Sequence, residues 1–131
     1  MKLKFHILKI FLVLSVLIPS FAYAEIKNAD VNQVEEYIKS GKYIVVDVRK
    51  PDEYSAGHIK GAGNVDYYDD NFESLFEEKY SDKNQSYILY CRSGMRSQYS
   101  AEILEELGYK NLINMTGGIL AWQDAGKPVE K

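Results

Sequence analysis

In YILYCRSGMRSQYSAEILEEL (residues 87 to 107) an apolar run ends in Cys91, the only cysteine of the chain. Arg92 and Arg96 flank Ser93, Gly94 and Met95, and Ser97 follows. A thiol acts as a nucleophile in its thiolate form, so donors and positive charge around a lone cysteine point to reactivity. A strand, a short loop and a helix in this order would aim the N–H groups of residues 92 to 97 around the sulfur. The positive end of the helix dipole would point the same way. Ser93 and Gly94 let the backbone curl without a bulky side chain in the way. Each feature predicts a lowered thiol pKa.

The arginines sharpen this reading. A cation at a helix N-terminus opposes the macrodipole by roughly 0.3–1 kcal/mol, and a helix built for stability alone would carry Asp or Glu there. Two arginines in that position predict a site that holds an anion. The plainer alternative is a buried, inert cysteine beside arginines that pair with the chain's carboxylates.

The elements that must position this loop are legible as alternating helical and extended patterns. Asp30 as N-cap, Val31, Val34 and Ile38 at helical spacing, Gln33 and a terminal Gly41 predict a helix over 30–40. YIVVDV (43 to 48) and YILY (87 to 90) read as strands buried on both faces, and NLINM (111 to 115) as a third. A brief strand is expected at 62–65. Pro51 opens a turn or short helix ending at Gly57. Phe72, Leu75 and Phe76 mark a helix, as do Ser97 to Leu107 and Gly117 to Ala125. This alternation predicts an α/β fold with a parallel sheet. Ligands of such sheets sit beyond the strands' carboxyl ends, where Cys91, Asp47 and Arg49 all fall.

The first 24 residues read differently. Lys2, Lys4 and Lys9 precede an apolar run from Ile10 to Ile18, and Ala22-Tyr23-Ala24 supplies a small-x-small cleavage pattern. This predicts a signal peptide (1–24) removed after Ala24 and a single domain over 25–131, exported to the periplasm or secreted. The run falls short of the roughly 20 residues that span a bilayer, so no membrane attachment is expected after cleavage. All 19 acidic residues stay while three of the 16 basic ones leave, making the processed chain more acidic than the net −3 of the whole. An acidic domain without a basic stripe is a poor match to nucleic acid. Export implies an oxidising compartment, where a single cysteine has no internal partner and stands either inert or as a reactive thiol.

CRSGMRS (91 to 97) resembles the active-site loop of rhodanese-type sulfurtransferases. DVRKPDEYSAGHIKGAGN (47 to 64) is similar to that family's DVR-x-P-x-E-Y-x-x-G-H-I-x-G-A-x-N signature, and GYKNLINMTGGILAWQDAGKPVE (108 to 130) to its Gly-Gly-x-x-Ala-Trp region. The resemblance implies a rhodanese-like fold: a five-stranded parallel sheet with helices on both faces. It implies double displacement, in which Cys91 takes a sulfane sulfur from a small anionic donor such as thiosulfate and passes it to cyanide or a thiol. The residues of 92 to 97 would bind the substrate, and no metal or organic cofactor is implied. Two alternatives follow: a persulfide carrier serving a protein acceptor, and a cysteine-dependent phosphatase or arsenate reductase. The latter use Cys-x5-Arg, whereas four residues separate Cys91 from Arg96.

Asp47 and Arg49 are expected to brace the loop as an ion pair. The resemblance places His58, the only histidine beyond the leader, in a packing motif with Ile59 and Gly61. With one His and one Cys there is no Cys/His metal cluster. Trp122 and Ile119 read as core, and Tyr67 and Tyr68 receive no role.

Overall fold

The computed structural model describes residues 13–17 and 25–131. The leader and its cleavage pattern lie largely outside the described residues. Five strands and five helices alternate: β1 (Glu25–Ala29), α1 (Val31–Ser40), β2 (Tyr43–Asp47), α2 (Pro51–Ala56), β3 (Gly63–Asn64), α3 (Phe72–Lys79), β4 (Ser86–Tyr90), α4 (Met95–Glu106), β5 (Asn111–Met115) and α5 (Gly118–Asp124). The strands form one parallel sheet in the order β1-β5-β4-β2-β3. β4 is therefore central, flanked by β5 and β2, and its carboxyl end delivers Cys91.

Local chemistry explains several of these elements. Asp30 accepts a hydrogen bond from the Gln33 N–H at 2.9 Å, and the Gln33 side chain accepts one from the Asp30 N–H at 3.0 Å. This reciprocal cap satisfies two donors that a helix start leaves without partners. Gly41 ends α1 at φ +72°, a left-handed conformation natural to glycine.

Side chains alternate across β4, as a strand's period of two requires. Ile88 and Tyr90 join the cluster with Val34 of α1 and Ile119 and Trp122 of α5. Tyr87, Leu89 and Cys91 join Phe72 and Phe76 of α3 and Ala101 and Leu104 of α4. The alternation thus sends the Cys91 side chain to the face that α4 covers. On that face Phe76 meets Tyr87 and Tyr109 edge-on, at 5.7 and 5.3 Å between ring centroids. Such pairs are worth about 0.5–1.5 kcal/mol each beyond the area they bury.

Two elements differ from the sequence reading. β1 is an edge strand whose polar sequence EIKNA buries Ala29 alone, so no apolar run marks it. α4 begins at Met95, two residues before the expected Ser97, because the left-handed Gly94 (φ +108°) caps it.

Candidate active site

The Cys91 residue is only 1% exposed. Its sulfur accepts a hydrogen bond from the Gly94 N–H at 3.1 Å and lies 3.4 Å from the Ser97 hydroxyl. Burial pushes the thiol pKa up, because a charged sulfur is poorly solvated there. The Ser97 hydroxyl and the N–H groups of Ser97, Gly94 and Ser93 pull it down by more, leaving it below the ordinary thiol value. Hydrogen bonding to the thiolate is the main cause of the lowering.

The loop is held from behind by α5. The Ile119 N–H donates to the Cys91 carbonyl at 2.9 Å, and the Leu120 N–H to the Arg92 carbonyl at 3.2 Å. Two donors at a helix start, which lack partners inside the helix, are satisfied by the loop. Gly118 makes the approach possible: it adopts φ +61°, and a Cβ there would collide with the Arg92 carbonyl and come within 2.6 Å of the Cys91 oxygen.

The two arginines divide. Arg96 forms a two-pronged pair with Glu53 of α2, at 2.8 and 3.0 Å. Its guanidinium also stands 5.5 Å from the Tyr68 ring centroid, with the Lys50 ammonium at the same distance from that ring. The Arg96 side chain thus follows the plainer reading, pairing with a carboxylate, and its charge is neutralised. The Glu53 carboxyl is held below its usual pKa, chiefly by the Arg96 hydrogen bonds. Arg92 is exposed and makes no ion pair among the described residues. Ser93 and Met95 are also exposed.

Asp47 and Arg49 form a buried pair, with Arg49 Nη2 2.7 Å from Asp47 Oδ2 and Nε 3.0 Å from both carboxylate oxygens. The same Nη2 donates to the Gly57 carbonyl at 2.7 Å. The pair therefore fastens the segment after α2, not the Cys91 loop it was expected to brace. His58 is stacked on Tyr54, with Nδ1 2.9 Å from the Tyr54 carbonyl oxygen.

Three residues to which the sequence reading gave no role belong to the site. Asn114 of β5 is 4% exposed and accepts from the Ser97 hydroxyl at 2.6 Å. Its signal was a polar residue inside an apolar strand, since a buried carboxamide needs partners. Glu53 is the Glu of the quoted DVR-x-P-x-E-Y signature, but its role was not legible because its partner lies 43 positions away. Gly118, within the quoted Gly-Gly motif, is explained by contact with the loop.

The result is an α/β domain that presents one hydrogen-bonded thiol at the end of its central strand, an arrangement suited to nucleophilic attack through sulfur. The chain belongs to the rhodanese-like domain family, whose model matches residues 30–125. It is 34% identical to the YtwF protein of Bacillus subtilis over 107 residues, covering 79% of this chain and 97% of that one. It is 33% identical to the thiosulfate sulfurtransferase GlpE of Pseudoalteromonas translucida over 99 residues, covering 76% and 90%. Among solved structures, the rhodanese-related protein of Thermoplasma volcanium aligns with a TM-score of 0.65 at 30% identity, over 79% of this chain and 97% of that one.

Proposed function

We propose that this protein is an exported sulfurtransferase that carries a sulfane sulfur on Cys91. The observation that supports it most directly is the Cys91 sulfur itself, held by the Gly94 N–H and the Ser97 hydroxyl at the end of the central strand. The names of its relatives, thiosulfate sulfurtransferase among them, favour the same chemistry.

In the first half-reaction the Cys91 thiolate attacks the outer sulfur of thiosulfate. The new bond is Sγ–S, the bond broken is the donor's S–S bond, and sulfite leaves with its electron pair. In the second, cyanide or a thiolate attacks the outer sulfur, the Sγ–S bond breaks, and the electron pair returns to Cys91. No external oxidant or reductant enters either step. The loop N–H groups stabilise the anion at each stage. Arg92, exposed and unpaired among the described residues, attracts the anionic donor, while Arg96 and Glu53 hold the loop's far side.

The oxyanion chemistry of a phosphatase is disfavoured by the Cys-x4-Arg spacing, and by an Arg96 whose guanidinium is already occupied by Glu53.

The test is intact mass spectrometry after incubation with thiosulfate. The protein gains one sulfur, cyanide removes it, and Cys91→Ser gains none. A wild type that gains nothing from thiosulfate while folded with a reduced thiol would overturn the reading. The same spectrum, taken on protein recovered from the expressing cell, reads the N-terminus and tests processing before Glu25.

A further inference from the structure

Asn114 Oδ1 accepts from the Ser97 hydroxyl at 2.6 Å, and the same hydroxyl lies 3.4 Å from the Cys91 sulfur. The other end of the carboxamide fixes this orientation. Asn114 Nδ2 donates to the Gly94 carbonyl at 3.4 Å, and stands 3.3 Å from both Asn28 Oδ1 of β1 and Gln98 Oε1 of α4. A backbone carbonyl only accepts, so the nitrogen belongs on the Gly94 side and the oxygen on the Ser97 side. The loop does not depend on Asn114 for its shape. The Gly94 carbonyl also takes the Gln98 N–H at 3.2 Å, and α5 holds the carbonyls of Cys91 and Arg92. What Asn114 alone controls is the Ser97 proton.

That control has a chemical consequence. Asn114 Oδ1 is the closer of the two acceptors, so the hydroxyl gives up a good bond whenever it turns to the sulfur. Asn114 keeps the hydroxyl near Cys91 and at the same time contests its proton. The thiolate is therefore stabilised by less than an uncontested hydroxyl would supply. A thiolate loses nucleophilicity as its parent thiol becomes more acidic, so the restraint keeps the sulfur reactive.

No charged group intrudes on this pair. Arg96 interacts with the Cys91 charge but is paired with Glu53 of α2, and Arg92 is exposed. At the end of β2, Asp47 and Arg49 are paired with each other. β5 carries no ionisable side chain, α3 buries only Phe72 and Phe76, and the single charge of α5 is Asp124 at its far end. The glutamates of α4 lie beyond its first turn.

We propose that Asn114 is a positioning residue for sulfur transfer, acting through Ser97 to hold the hydroxyl beside Cys91 while contesting its proton, so that the thiolate stays a strong nucleophile. This rests on the sulfur-transfer reading and adds a residue to it. The bonds made and broken in each half-reaction are unchanged.

Asn114→Leu removes the acceptor and leaves a branched side chain in its place. The pH midpoint of Cys91 alkylation by iodoacetamide is expected to fall by about one unit, the size of one hydrogen bond. Thiosulfate loading should rise about threefold at pH below both midpoints, where more thiolate is present, and fall about threefold above both, where reactivity alone counts. In a Ser97→Ala background the same substitution should move the midpoint far less. A midpoint that stays or rises in the folded variant overturns the proposal, as does loading lowered at every pH. Wild type gives a second reading should the variant not fold. By NMR the side-chain carbonyl carbon of Asn114 should shift through the Cys91 transition and stay still in Cys91→Ser, and a signal indifferent to that transition overturns the proposal. A wild type whose Asn114 signal follows Cys91 but which takes no sulfur from thiosulfate would instead retire the sulfur-transfer reading.

Discussion

The Ser97 hydroxyl lies 2.6 Å from Asn114 Oδ1 and 3.4 Å from the Cys91 sulfur. A hydroxyl carries one proton, so it donates to one of these acceptors at a time. A neutral thiol is a weak acceptor and leaves the proton with the carboxamide. A thiolate is a strong one and draws it across. Asn114 thus keeps the hydroxyl beside the sulfur, ready for the charged state.

Removing that hydroxyl should cost the thiolate more than the thiol. Ser97→Ala is expected to raise the pH midpoint of Cys91 alkylation by iodoacetamide and to slow sulfur uptake at neutral pH by about tenfold, the scale of one charge-assisted hydrogen bond. Stopped-flow alkylation across pH reads the midpoint directly. A midpoint unmoved by the substitution would remove Ser97 from the site.

The two arginines should separate experimentally. Arg92 is exposed and makes no ion pair among the described residues, so Arg92→Ala should raise KM for thiosulfate severalfold with little change in kcat or Tm. Arg96 is anchored by Glu53. Arg96→Ala and Glu53→Ala should each lower stability by about 1–2 kcal/mol, and the double variant should cost less than the two combined. Urea unfolding of the four proteins of the cycle checks the coupling. Equal KM effects from both arginines would contradict the division.

Much of this was legible because it was local. The Asp30–Gln33 cap, the Gly41 stop and the apolar strands 43–48, 87–90 and 111–115 each announce themselves within a few residues. The Cys91 loop did so as well, through an apolar run, a glycine and a helix start. What escaped was set by distance along the chain or by alternation. Glu53 meets Arg96 only after folding brings α2 to α4. Asn114 lies on the α4 side of β5, opposite Ile113 and Met115, and the strand pattern alone did not say which face held the thiol. β1 escaped because an edge strand need not be apolar.

Gly118 offers a test of the loop's support from behind. Gly118→Ala places a Cβ against the carbonyls of Cys91 and Arg92 and forces a left-handed φ of +61° on an alanine. The conformational penalty alone is roughly 1–2 kcal/mol, and the collision adds to it by pushing the loop away from α5. Lowered Tm with sulfur uptake reduced at least tenfold per folded molecule is expected. Gly41→Ala also puts alanine at positive φ, but in open space, and should lower Tm without touching uptake. Loss of uptake in both would mean that the effect is general destabilisation.

The lowered Cys91 pKa also fixes a pH dependence of stability. Burial opposes ionisation, but the Ser97 and loop N–H hydrogen bonds outweigh it, so the folded thiol ionises below the unfolded one. Between the two pKa values the folded state holds fewer protons than the unfolded state, and stability rises with pH there. The stabilisation is complete above the unfolded thiol's pKa, about 8.5, and is lost as pH falls through the lower folded value. Cys91→Ser cannot ionise in this range. The stability difference between wild type and Cys91→Ser, followed by urea unfolding from pH 6 to 9 with a reductant present, should therefore grow in favour of wild type as pH rises. A difference that stays flat across that window would mean that the folded site does not favour the thiolate.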